Sequence, residues 1–142
     1  MIQANSNRET LKEIRARERK EAEAILKEKC EAYAVAKYGE DTIKGWSNKN
    51  KGLWYLPVLS EDGETIEKLA IMKPIDRHIL SHASTKIEDE GLYLFLEACM
   101  RECLVNADDE GNFILDDEET FIPAANKFNK IMETKKVGFL KR

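Results

Sequence analysis

The most apolar stretch of the chain, Gly91 to Val105, places Leu92, Phe95 or Leu96, Cys99 and Cys103 three to four residues apart. That is the stripe of a helix with one buried face, and it predicts the central core helix. Much earlier, Ser6-Asn7-Arg8-Glu9 reads as a capping box, and neither proline nor glycine follows before Gly39. A helix of about thirty residues is expected from there to Tyr38, with Gly39 as its stop. Its middle, Arg15 to Glu23, is almost entirely charged, whereas apolar residues gather at Leu11 and Ile14 and again from Ile25 to Tyr38. The first half is therefore expected to project and the second half to dock. A heptad counted from Leu11 puts Glu18, Glu21 and Glu28 at core positions, which argues against a coiled coil.

Asn48 to Gly52 reads as a turn-rich break. Two β-rich runs, Leu53 to Leu59 and Glu64 to Lys73, flank Glu61-Asp62-Gly63 and predict a hairpin over 53–73. Pro57 lacks an amide donor, so its strand belongs at an edge or is interrupted there. Asp76 is the N-cap candidate of a short helix reaching about Ala83, and Ser84 to Asp89 is a polar connection. Beyond the core helix come an acidic turn, Asp108 to Gly111, and a brief Phe113-Ile114-Leu115. A last helix starts near Asp116-Asp117 and aligns Phe121, Ala125, Phe128 and Met132, with Pro123 marking its first turn or a kink. The fold class is α+β: a long charged N-terminal helix over 1–40, then a body over 41–142 with one hairpin and about three packed helices.

A chain of 142 residues supports one ordinary core. The opening residues hold no signal-peptide apolar region and no run approaches a membrane span, so a cytosolic protein with its three cysteines reduced is expected. Charge is segregated: residues 88–119 carry 1 Lys/Arg against 12 Asp/Glu, a net of −11, and residues 121–142 carry 6 against 1, a net of +5. The acidic block suits a basic partner or simple solvation, and the overall −4 disfavours nucleic acid. The basic cluster Arg15, Arg17, Arg19 and Lys20 is interleaved with glutamates and reads as a salt-bridged, solvated helix.

Two pieces of site chemistry need weighing. His78, His82, Cys99 and Cys103 form two i,i+4 pairs, the number and type of ligands a tetrahedral zinc needs. Against zinc, both pairs sit on plain helices and the cysteines occupy the apolar stripe, so core cysteines and surface histidines are preferred. Asn106 to Asp117 copies an EF-hand loop, with oxygens at positions 1, 3 and 5, glycine at 6 and a carboxylate at 12. Its first residue is Asn and its twelfth is Asp, which favours an acidic surface loop whose last carboxylates cap the next helix. No nucleophile elbow, phosphate loop or zinc-protease motif is present, and Asp76 beside Ser81 and His82 is a cap rather than a triad.

Leu56-Pro57-Val58-Leu59-Ser60-Glu61-Asp62-Gly63 through Leu69-Ala70-Ile71-Met72-Lys73-Pro74 resembles the opening of small phage tail assembly chaperones: an extended segment, a D/N-G turn, a second strand and a K/R-P helix start. The likeness extends over about residues 53–142 to small proteins of phages and prophages of gut bacteria, through the apolar helix ending in Cys103, the acidic turn and the helix leading to Lys135-Lys136. It leaves out the charged helix of residues 7–38. The resemblance implies a nonenzymatic assembly protein without cofactor or metal, acting in the host cytoplasm on a tape-measure or tail-tube type partner. Helix-in-groove contact and a self-associating hairpin edge would be its means. Trp46, Trp54, Tyr55, Phe121 and Phe128, with Leu11 and Ile14 on the first helix, are the candidate contact residues, although a place in the core is the preferred reading of each aromatic, and a homo-oligomer is compatible. A virion component anchored through its N-terminal helix is the alternative, and a small zinc- or calcium-binding regulator is a third reading.

Overall fold

The computed structural model describes residues 10–84 and 90–133. The capping box at Ser6 and the basic tail from Lys135 lie outside the described residues. The long helix, α1, runs Leu11–Tyr38, and Thr10 caps it by accepting a hydrogen bond from the Glu13 amide at 3.1 Å. Gly39 ends it with φ of 94°, and a second helix, α2, follows at once over Glu40–Asn50. The expected break at Asn48 is thus the last turn of α2. There Asn50 bonds the Trp46 carbonyl, and the chain reverses only at Lys51, in left-handed conformation at φ of 60°. The apolar Ile43 and Trp46, one turn apart, supplied too short a stripe to mark this helix.

The hairpin forms as expected, with β1 at Trp54–Leu59 and β2 at Ile66–Met72, antiparallel around a turn in which Gly63 takes φ of 74°. After it come α3 (Arg77–Ala83), α4 (Leu92–Cys103), α5 (Asp109–Asp116) and α6 (Glu118–Met132). Asp76 caps α3 through the Ile79 amide at 2.8 Å, and Asp117 caps α6. The supposed acidic turn and short apolar piece are one helix, α5, capped by Asp108. Pro123 lies in the second turn of α6, where it removes the amide that would bond Glu119.

The sheet separates two cores because its side chains alternate. One face carries Trp54, Leu56, Val58, Ala70 and Met72, which pack with Leu96, Cys99, Met100, Cys103 and Phe128. The opposite face carries Tyr55, Leu69 and Ile71, which pack with Cys30 and Ala34 of α1 and Ile43 of α2. The second half of α1 is therefore part of a core, while residues from Lys12 to Ile25 are exposed except for half-buried Ile14.

The outer edge of β2 is closed by the chain itself. Val105 donates to the Ile71 carbonyl at 2.8 Å and Lys73 donates to the Cys103 carbonyl at 2.8 Å. Asn106, only 3% exposed, accepts from the Ile71 amide at 2.7 Å and donates to the Leu69 carbonyl at 2.8 Å. Since Leu69 and Ile71 turn their backbone groups outward, their partners Pro57 and Tyr55 do the same on β1. The missing amide of Pro57 thus falls on an outward position and costs no ladder bond.

Candidate protein-binding surface

Helix α4 buries Leu96, Cys99, Met100 and Cys103, which share one side. At about 100° per residue, Leu94 lies half a turn from Cys103, so it cannot join that side. Tyr93 and Leu94 are each 44% exposed, as is Ile122 on α6. These three, with Phe121 and Leu115, form the apolar lining of an open groove of about 360 Å³ between α4 and the start of α6. Its rim is charged: Glu97, Asp116 and Glu118 against Arg101, three negative groups to one positive. Arg101 holds the rim together by donating from Nε to Glu97 at 2.9 Å and from a terminal nitrogen to Asp116 at 2.8 Å. Those two carboxylates hold the guanidinium proton still more firmly than usual, Asp116 contributing most. The Tyr93 hydroxyl donates to Asn126 at 2.9 Å, fixing the ring across the two helices. A cluster of half-exposed large apolar side chains with a polar rim is the makeup of a contact surface, and here the rim is acidic.

The residues expected to bind a partner are dispersed. Leu11 is 61% exposed on α1, but Phe128 is fully buried in the core, where half-buried Trp54 packs edge-on against it at 5.5 Å. Trp46 packs against Tyr38 at 5.2 Å, and Tyr55 sits against the second core while its hydroxyl donates to Glu31 at 2.6 Å. Burial, followed by that carboxylate, pushes the Tyr55 hydroxyl well above its ordinary pKa. Phe121 alone of the predicted aromatics reaches the groove. Tyr93, Leu94 and Ile122 were missed, although the five consecutive apolar residues Leu92 to Leu96 held the signal: a helix buries one side, so such a run leaves some exposed. Leu92, assigned to the buried stripe, is 43% exposed because it begins the helix.

The zinc set is not assembled. His78 and His82 face solvent on α3, whereas Cys99 and Cys103 are 0% exposed in the core. His82 Nδ1 lies 3.0 Å from a Glu102 carboxylate oxygen instead. Burial pushes the Cys99 thiol up to about 11 and the Cys103 thiol up to about 12, so both are inert apolar groups at neutral pH. Among the described residues no group of three or more His, Cys, Asp or Glu side chains is placed to hold a metal ion.

The segment Asn106 to Asp117, expected to be an acidic surface loop rather than a calcium site, is largely helical, and Asp117 caps the next helix as expected. Its positions 4 to 11 are the helix α5, and its oxygens already have partners within the protein. Asn106 binds β2, and Asp108 caps α5 and accepts from the Tyr38 hydroxyl. Glu110 accepts from the Leu69 amide at 3.1 Å and the Tyr33 hydroxyl at 2.6 Å, and pairs with Lys37 at 2.9 Å. Burial works to raise the Glu110 carboxyl, but Lys37, Tyr33 and the Leu69 amide together hold it below its usual range. The same burial pushes the Tyr33 and Tyr38 hydroxyls up to about 12, with the neighbouring carboxylates adding to it.

Comparison with protein-family models, curated proteins and solved structures finds no match. No described helix is long and apolar enough to cross a membrane.

Proposed function

We propose that this chain is a noncatalytic protein-binding factor that seats an amphipathic, basic helical segment of a larger partner in the groove lined by Tyr93, Leu94, Phe121 and Ile122. The single observation behind this reading is the pairing of that exposed apolar lining with a rim of three carboxylates to one guanidinium. Apolar anchors of the partner would fill the groove and its Lys or Arg residues would meet Glu97, Asp116 and Glu118. Such a task is what the resemblance to phage tail assembly chaperones implies, where the client is a long helical tape-measure protein held soluble in the host cytoplasm before tail-tube subunits join.

Co-expression with the tape-measure type protein encoded by the same genome tests it. The client is expected to stay soluble with the native chain and to precipitate with the Leu94→Glu/Ile122→Glu variant. Equal solubility with both would remove the groove from the function.

A second reading, a virion component anchored through its N-terminal helix, draws on the exposed charged half of α1. Mass spectrometry of purified particles separates the two, since an assembly factor is absent from them and a structural component is present in stoichiometric amounts.

A further inference from the structure

The first half of α1 carries a second apolar stripe, on which Leu11 and Ile25 are exposed and Ile14 is half-buried. At about 100° per residue, Leu11, Ile14, Ala22 and Ile25 fall within roughly 80° of one another on the helix, with Glu18 among them dividing the stripe into a Leu11–Ile14 pair and an Ala22–Ile25 pair. Leu11 is 61% and Ile25 56% exposed. Cys30 and Ala34, which dock α1 on the sheet, lie on a different side, as does Glu23, which reaches Lys127 of α6 at 3.8 Å. The stripe is therefore turned well round from the docking side, and Leu11 and Ile25 on it stay exposed. Residues 11–20 carry five Lys/Arg and two Asp/Glu, a net of +3.

This arm matches the groove in the same molecule's α4 and α6: apolar anchors one turn apart for the apolar lining, and a basic surround for the acidic rim. It cannot reach that groove within one molecule. Leu11–Tyr38 is one helix without glycine or proline before Gly39, so Cys30 and Ala34 fix the direction of the arm. They hold its base on the sheet face opposite the one α4 and α6 pack on, and where the arm passes α6 it meets Lys127, more than two turns along that helix from Glu118 and the groove.

We propose that the arm of one copy docks in the groove of a second copy, with Leu11 and Ile14 as anchors and Arg15 and Arg19 toward the carboxylate rim. The inference rests on the groove being a helix-binding surface, as proposed above. Arm and groove are different surfaces, so the contact is head-to-tail and propagates into chains or a closed ring. A larger partner with a basic apolar helix would compete for the same groove, and self-association would keep it covered until that partner arrives.

Sedimentation velocity of the full chain over a concentration series tests this. The mean mass is expected to rise with concentration at low salt and to fall when salt is raised to 0.5 M. Leu11→Glu/Ile14→Glu, on the arm, and Leu94→Glu/Ile122→Glu, in the groove, are each expected to stay monomeric. Mixing the two variants is the decisive arm: one intact arm and one intact groove remain, so a dimer forms and grows no further. A native chain that stays monomeric at all concentrations, or a mixture that stays monomeric, overturns the proposal. Should either occur while a synthetic basic amphipathic peptide still binds the native groove and not the Leu94→Glu/Ile122→Glu variant, the self-docking fails and the function proposed above stands. Loss of peptide binding as well would remove both.

Discussion

Asn106 bonds Ile71 as a neighbouring strand would, its side-chain oxygen taking the Ile71 amide at 2.7 Å while its side-chain nitrogen reaches the carbonyl of Leu69 at 2.8 Å. Together with the backbone of Cys103 and Val105, this amide side chain closes the edge of β2, beside which no third strand lies among the described residues. Asn106→Ala would strand a buried donor and a buried acceptor, at a cost of about 1–3 kcal/mol for each group left unpaired. Urea unfolding followed by circular dichroism is expected to show a lower midpoint with an unchanged slope.

Two glycines make a matched pair. A Cβ on Gly111 would lie 2.0 Å from the Asn106 carbonyl oxygen, whereas one on Gly45 in α2 meets nothing within 4 Å. Gly111→Ala should therefore destabilise by about 1–3 kcal/mol or more, because backbone has to move. Gly45→Ala should stabilise by about 0.5–1 kcal/mol, because alanine restricts the unfolded chain and favours helix. Melting temperatures moving in the same direction would contradict the close approach of α5 to residue 106.

Glu110 and Asp108 both hold their protons less tightly when folded than ordinary carboxyls. A folded pKa below the unfolded one gives stability that is complete above the unfolded value and is lost as pH falls through the folded value. The loss should begin as pH drops toward about 4.3 and finish below it. Glu110→Gln is expected to lower stability at pH 7 and to flatten the acid limb. An unaltered limb in denaturation curves from pH 7 to pH 3 would show that this carboxylate is not stabilised in the fold.

The buried thiols should react slowly. Cys30, Cys99 and Cys103 are all free and buried, with pKa values raised by burial to about 11, 11 and 12. Ellman's reagent at pH 8 should label them only as fast as the protein opens, and all three at once in denaturant. Rapid native labelling of Cys103, or a stoichiometric zinc signal abolished by Cys103→Ser, would contradict their placement.

Truncation should divide α1 in two. Removing residues 1–22 takes from α1 a stretch that is exposed apart from half-buried Ile14, and should leave a cooperative melt. Removing residues 1–38 also deletes Cys30 and Ala34 from the second core and Tyr33, Lys37 and Tyr38 from around Glu110 and Asp108, and should abolish it. A cooperative melt in the longer truncation would mean that Ile43, Leu69 and Ile71 can be covered without α1.

Local chemistry determined much of this molecule. The hairpin follows from two β-rich runs around Asp62-Gly63, the end of α1 from Gly39, the start of α3 from Asp76 and the buried side of α4 from the spacing of Leu96, Cys99 and Cys103. Each of these rests on residues a few positions apart, within reach of periodicity and capping rules. Tertiary structure alone decided the rest. Asn106, Asp108 and Glu110 have the spacing of calcium ligands, yet β2 and α1, 35 to 77 residues away in sequence, supply the donors that occupy them. Phe128 and Ile122 sit on different sides of one helix: the sheet covers the first, and the second is left on the groove with Leu94. Sequence fixes which side of a helix is apolar, but whether that side meets a core depends on how the other elements pack around it.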